Sequence, residues 1–198
     1  MKKIIKLCFS IAVCFSLFAF PIDANRSEIH IINEEVPFDE VSEPMTYDEM
    51  ITQIAMNEGI TFEEAERKLG PQSRDARLGT YRTLYQTIVV TSVYKPQLRF
   101  YVETSESGSF HGILSIEYVN MNRAYNGISK QFSGTVAYVL TDPNNIHYSI
   151  DGDFFNNGST TTSLGGSVNI GGFGSSSFTV SSTTSHYAYC SDSGDKYW

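Results

Sequence analysis

The chain has 198 residues and a formal net charge of −8, room for one ordinary domain with extensions. The charge is uneven: residues 25–77 carry five basic and thirteen acidic residues, whereas residues 78–198 carry six and eight. A near-neutral body with no basic stripe lacks the electrostatic footprint that phosphate-backbone binding requires, so nucleic acid is not an expected partner.

Lys2, Lys3 and Lys6 form a positive start, and an apolar run follows from Leu7 to Phe20. Ile22-Asp23-Ala24 then places a small residue before a cut ahead of Asn25, the pattern of a signal peptide over residues 1–24. The apolar run is about 14 residues, short of the roughly 20 that span a bilayer. A lipoprotein cut at Cys14 fits less well, because bulky Val13 precedes it and half the apolar run would lie beyond. The expected location is therefore secreted and extracellular. Once Cys8 and Cys14 leave with the signal, Cys190 stands alone and no internal disulfide can form. A disulfide-free exported domain points to a bacterial source.

Residues 25–44 are acidic, carry Pro37 and Pro44, and lack periodicity. Such a segment buries too little apolar surface to offset its ordering entropy and reads as a flexible spacer. Residues 45–70 then read as a helical hairpin. Thr46 with Glu49, and Thr61 with Glu64, have capping-box spacing, and Met45 and Met50 are placed as a hydrophobic staple. Met50, Ile51, Ile54 and Ala55 share one helical face, with Gly59 and then Gly70-Pro71 as stops. The spacing imitates a DNA-reading helix-turn-helix, but the second helix exposes Glu63, Glu64 and Glu66, which phosphate repels. The hairpin is expected to dock on the following domain, to keep the exported chain soluble, or to be a removable pro-segment. Arg74 and Arg77, in a linker over residues 71–79, are the candidate processing positions, as Ala24 is for the signal.

Residues 80–190 read as an all-β domain, an antiparallel sandwich or small barrel of about seven strands. A long segment from Tyr81 to Tyr94 is apolar on both faces near Ile88–Val90, as in a central strand. Leu98, Phe100 and Val102 alternate with polar residues in the second, and Leu114 and Ile116 line one face of the third. Phe132, Val136, Tyr138 and Leu140 mark the fourth; Ile146, Tyr148, Ile150 and Phe154 mark the fifth. Leu164, Val168 and Ile170 give a sixth, and Phe178 and Val180 begin a seventh that ends near Tyr189. Residues 191–198 read as a polar C-terminal tail.

Three features of this domain bear on function. His147, Ser149, Asp151 and Asp153 share one face of the fifth strand, with Asn156 and Asn157 beyond. Asp151, Asp153 and Asn156 are oxygen donors near a turn, the weak candidates for a calcium site, although they lack EF-hand spacing; a solvated sheet face shows the same alternation. The tract from Asn157 to Ser185 is rich in Gly, Ser and Thr with a thin apolar side, a composition that resembles the membrane-inserting hairpins of β-pore-forming toxins. Eleven of the twelve tyrosines, and Trp198, fall in or after the β domain, and exposed aromatics stack on sugars or fill protein interfaces.

The sequence has no Gly-x-Ser-x-Gly elbow, no His-Glu-x-x-His, no paired-cysteine motif and no phosphate-cradling glycine loop. Its four histidines have no ligand spacing, and Cys190 with His186 is a lone pair. The expectation is a secreted bacterial β-sandwich protein without enzymatic activity, binding an extracellular protein or a glycan and needing no cofactor. The alternative is a secreted toxin or antimicrobial factor with an acidic pro-region, which alone would bring membrane contact.

Overall fold

The computed structural model describes residues 41–198 apart from positions 72–75, 107, 109–110, 165 and 182–184. The signal peptide with Ala24, the spacer up to residue 40, and Arg74 lie outside the described residues.

The helices form where capping chemistry places them. Helix α1 spans Tyr47–Glu58 and α2 spans Phe62–Leu69, and both begin in a complete capping box, from Thr46 to Glu49 and from Thr61 to Glu64. Gly59 ends α1 with φ of 68°, left-handed backbone that glycine adopts without steric cost. The predicted apolar face of α1 is buried from Met50 to Ala55, and Tyr47 joins it.

The strands are β1 (Thr80–Thr87), β2 (Gln97–Ser105), β3 (Gly112–Asn122), β4 (Ala124–Tyr125), β5 (Ile128–Ser129), β6 (Gln131–Asp142), β7 (Asn145–Phe155), β8 (Thr160–Leu164), β9 (Val168–Asn169), β10 (Phe173–Val180) and β11 (His186–Tyr197). All pairings are antiparallel. They make a four-stranded sheet, β1-β2-β3-β9, and a five-stranded sheet, β11-β7-β6-β10-β8. One apolar core joins the inner faces, with Leu98, Phe100, Val102 and Ile116 from the first sheet meeting Phe132, Tyr138, Tyr148 and Phe154 from the second. The fold is a sandwich. On the other face of the four-stranded sheet, Tyr81, Tyr101 and Tyr118 are buried under α1 and α2 in a second apolar cluster. The helical hairpin is thus a third layer, packed on the β domain as one of its expected roles required.

Several boundaries differ from the sequence reading. The first segment ends at Thr87, and its Ile88–Pro96 continuation turns back on itself, closed by Ile88 N–H donating to the Pro96 carbonyl. β1 is not central but flanked by Val41–Met45, which pair with Leu84 and Tyr81. Leu114 does not share a face with Ile116: β3 slips register twice against β2, leaving Leu114 and Glu117 as extra residues in two bulges. The expected sixth strand is two, because β8 lies in one sheet and β9 in the other, and Ile170 is half-exposed in the turn beyond. Phe178 and Val180 end β10 rather than begin a strand to Tyr189. Residues 191–198 are no tail, since β11 pairs with β7 as far as Tyr197 and Trp198 N–H donates to the Asn144 carbonyl.

The inner face of the five-stranded sheet matches large to small residues across strands. Gly134 and Gly152 pair directly, and the Phe132 ring lies over both, 2.8 Å from where a Cβ would stand on either. A methyl at Gly152 has nowhere to go but into this ring and the β6 backbone. Gly152→Ala is therefore expected to cost about 3 kcal/mol through overpacking, read as a lower denaturation midpoint with an unchanged slope.

Candidate functional site

The outer face of the five-stranded sheet has no layer over it among the described residues, in contrast to the helix-covered face of the other sheet. Its side chains follow from strand parity: inward Tyr148, Ile150 and Phe154 alternate with outward His147, Ser149, Asp151 and Asp153 on β7. Register then aligns neighbours into rows. Ser191, Asp151, Thr135, Ser177 and Ser163 cross five strands, and Ser193, Ser149, Ala137 and Ser175 form the row beside them. Tyr189, Asp153 and Ser133 form a third. The surface is a flat array of small hydroxyls, with carboxylates and one exposed phenol toward β11.

Cross-strand bonds fasten β11 to β7 on this face. The Tyr189 hydroxyl donates to Asp151 Oδ2 at 2.5 Å, His186 Nε2 lies 2.8 Å from Asp153 Oδ1, and His147 Nδ1 lies 3.0 Å from Asp195 Oδ1. The Asp151 carboxylate raises the Tyr189 phenol pKa by holding its proton. The candidate oxygen donors are brought together only in part. Asp151 and Asp153 share the face as expected, but Asn156 Oδ1 accepts from Lys130 Nζ at 2.6 Å, a cation where a metal would need to sit. No group of three His, Cys, Asp or Glu side chains suited to a metal occurs among the described residues. Neither His186 nor His147 meets a hydroxyl among the described hydrogen bonds, the arrangement a serine nucleophile requires.

Cys190 and Arg77 are accounted for structurally. Cys190 faces inward in the main core, and burial first, then Asp192 and Asp151, push its thiol up to about 11. Arg77 pairs with Glu66 at 2.6 Å and lies over the Tyr47 ring.

A second polar cluster, which sequence reasoning missed, lies between the hairpin and the four-stranded sheet. The β3 bulge turns Glu117 to the same side as Ser115 and Tyr118. Ser115 Oγ donates to Glu117 and lies 3.5 Å from Glu103 Oε2 on β2. Glu117 is only 8% exposed. Burial raises the pKa of both carboxyls, and the charge of Glu117 raises Glu103 further. Tyr81 from β1 and Tyr47 from α1 complete the surroundings, and the buried Tyr47 hydroxyl has no hydrogen-bond partner. Farther along the interface, Asn57 Nδ2 donates to the Tyr101 hydroxyl at 2.6 Å and Asn120 Nδ2 to Glu58 at 3.1 Å. A lone Glu in the apolar run Ile113–Met121 was the available signal.

No family model, curated protein or solved structure matches the chain. Chemistry at individual residues is therefore tested directly. The native Cys190 thiol is expected to resist iodoacetamide at pH 8, because burial holds it protonated; labelling should be complete only in denaturant. Rapid native labelling would place the thiol outside the core.

Proposed function

We propose that the protein is a secreted bacterial binding module for an extracellular protein or a glycan, and that the outer face of the five-stranded sheet is its binding surface. One observation carries this reading. The face is flat and lined by hydroxyls, and it presents Tyr189, 57% exposed, beside Asp151 and Asp153. An aromatic ring with carboxylate and hydroxyl neighbours suits sugar stacking with hydrogen bonds to ring hydroxyls, and equally a polar protein interface. The charge and apolar pattern of residues 1–24 supports the export part of this reading.

The test is a thermal-shift screen of the mature protein against soluble oligosaccharides and purified extracellular proteins. A ligand present at 100 times its Kd stabilises by about 2.7 kcal/mol. Tyr189→Ala and Asp153→Ala are expected to weaken that binding at least about tenfold, roughly 1.4 kcal/mol, with the unliganded midpoint lowered only by the loss of one exposed cross-strand bond each. Full binding by both variants would move the site elsewhere.

The toxin reading is favoured by a separate observation: Ile170 and Phe173 are 50% and 70% exposed at the Gly171-Gly172 turn of the Gly/Ser/Thr-rich tract. Against it, Val168, Ser176, Phe178 and Val180 of that tract are buried, so insertion would require opening the sandwich. Under this reading the secreted mass begins near Arg74 or Arg77 and the product releases dye from lipid vesicles; a mass beginning at Asn25 with intact vesicles contradicts it.

A further inference from the structure

We propose that the helical hairpin is a pH-dependent latch, docked most firmly under acidic conditions because buried Glu117 and partly buried Glu103 lie together beneath it, with no ion-pairing cation among the described residues. The geometry sets the condition. Ser115 bridges the two carboxyls, and its single hydroxyl proton goes to Glu117. From the neighbouring elements, Tyr81 on β1 and Tyr47 on α1 face them. Glu66 on α2, Asp48 on α1 and Arg77 lie beyond, acting on Tyr47. Arg77 is engaged by Glu66, and among the described residues no Lys, Arg or His forms an ion pair with Glu103 or Glu117. Two like charges in a low-dielectric interface repel each other, and burial penalises each. A proton on one carboxyl removes the repulsion and that group's own burial cost, and supplies a donor.

The direction follows from linkage. Both carboxyls titrate higher when docked than when exposed. Their contribution to docking is therefore complete below the exposed carboxyl value of about 4.5 and is lost as pH rises through the docked values. Undocking exposes Tyr47, Tyr81, Tyr101 and Tyr118, a tyrosine-lined face that the closed form hides.

Hydrogen exchange of the intact protein at pH 5 and pH 8, corrected for intrinsic rates, reads the latch. Amides of Tyr47–Leu69 are expected to open more often at pH 8, by up to about tenfold for each pKa unit by which a carboxyl is raised. Amides of β6 and β7 should not change. Glu117→Gln keeps an acceptor for Ser115 and removes the charge, so it should abolish most of the pH dependence; Glu103→Gln should reduce it. Opening that is independent of pH in the unsubstituted protein, or pH dependence that survives in both variants, overturns the proposal.

Discussion

The Phe132 ring lying across the Gly134–Gly152 pair is the contact on which the sandwich depends. Two facing glycines leave a hollow in the middle of the five-stranded sheet, and this ring fills it while meeting Phe154 at a tilt, 4.8 Å between centroids, and Phe178 edge-on at 5.4 Å. Two inner rows along, the device recurs: Gly194, Tyr148, Tyr138 and Gly174 align across four strands, large in the middle and small outside. Phe100 from the opposite sheet then meets both central tyrosines, 6.4 Å from Tyr138 and 6.1 Å from Tyr148. Close packing of this kind fixes side-chain positions and tolerates few added atoms. Because most rings are consumed inward, the outward face carries mainly small hydroxyls and short acids, with Tyr189, His147 and His186 as its larger side chains.

The four-stranded sheet has the reverse problem. Its outer side carries Tyr81, Tyr101 and Tyr118, too much aromatic surface to leave in water, and α1 covers it with Met50, Ile51 and Ile54. Sheet edges are closed by the same segments. Val41–Met45 pair along β1, and Lys68 from α2 donates to the Thr162 carbonyl on edge strand β8 at 3.3 Å. Edges left open invite pairing with other chains. The hairpin therefore both buries a face and guards an edge. Its interface nonetheless holds buried Glu117 and partly buried Glu103, which no described Lys, Arg or His pairs with, and their charges work against docking at neutral pH under the latch proposal. A layer that is needed yet compromised is suited to conditional release.

What was legible in the sequence was local. Both capping boxes are spelled by Thr and Glu three residues apart, and each forms as written because the contacts lie within one turn. Parity worked on β6 and β7, where alternation runs unbroken and Asp151 and Asp153 fall on one face. It failed on β3, where bulges at Leu114 and Glu117 change the spacing of inward residues to Ile113, Ile116, Val119 and Met121. A bulge is a property of two paired strands, and one strand does not encode it alone. The strand β11 was hidden because both its faces are polar after Cys190, so its contribution to the outer surface, Tyr189 and Ser191 included, could not be placed. The division of β8 from β9 was likewise invisible, since sheet membership is decided by partners far along the chain.

The central claim is that hairpin and sandwich form one folded unit rather than a domain with a dispensable leader. Equilibrium unfolding of a chain beginning at Leu78, compared with one beginning at Asn25, tests it most directly. Loss of the cover over Tyr81, Tyr101 and Tyr118 should lower stability by more than about 3 kcal/mol and create binding of an apolar fluorescent dye. Equal midpoints and no dye binding would contradict the account and make the hairpin a removable segment.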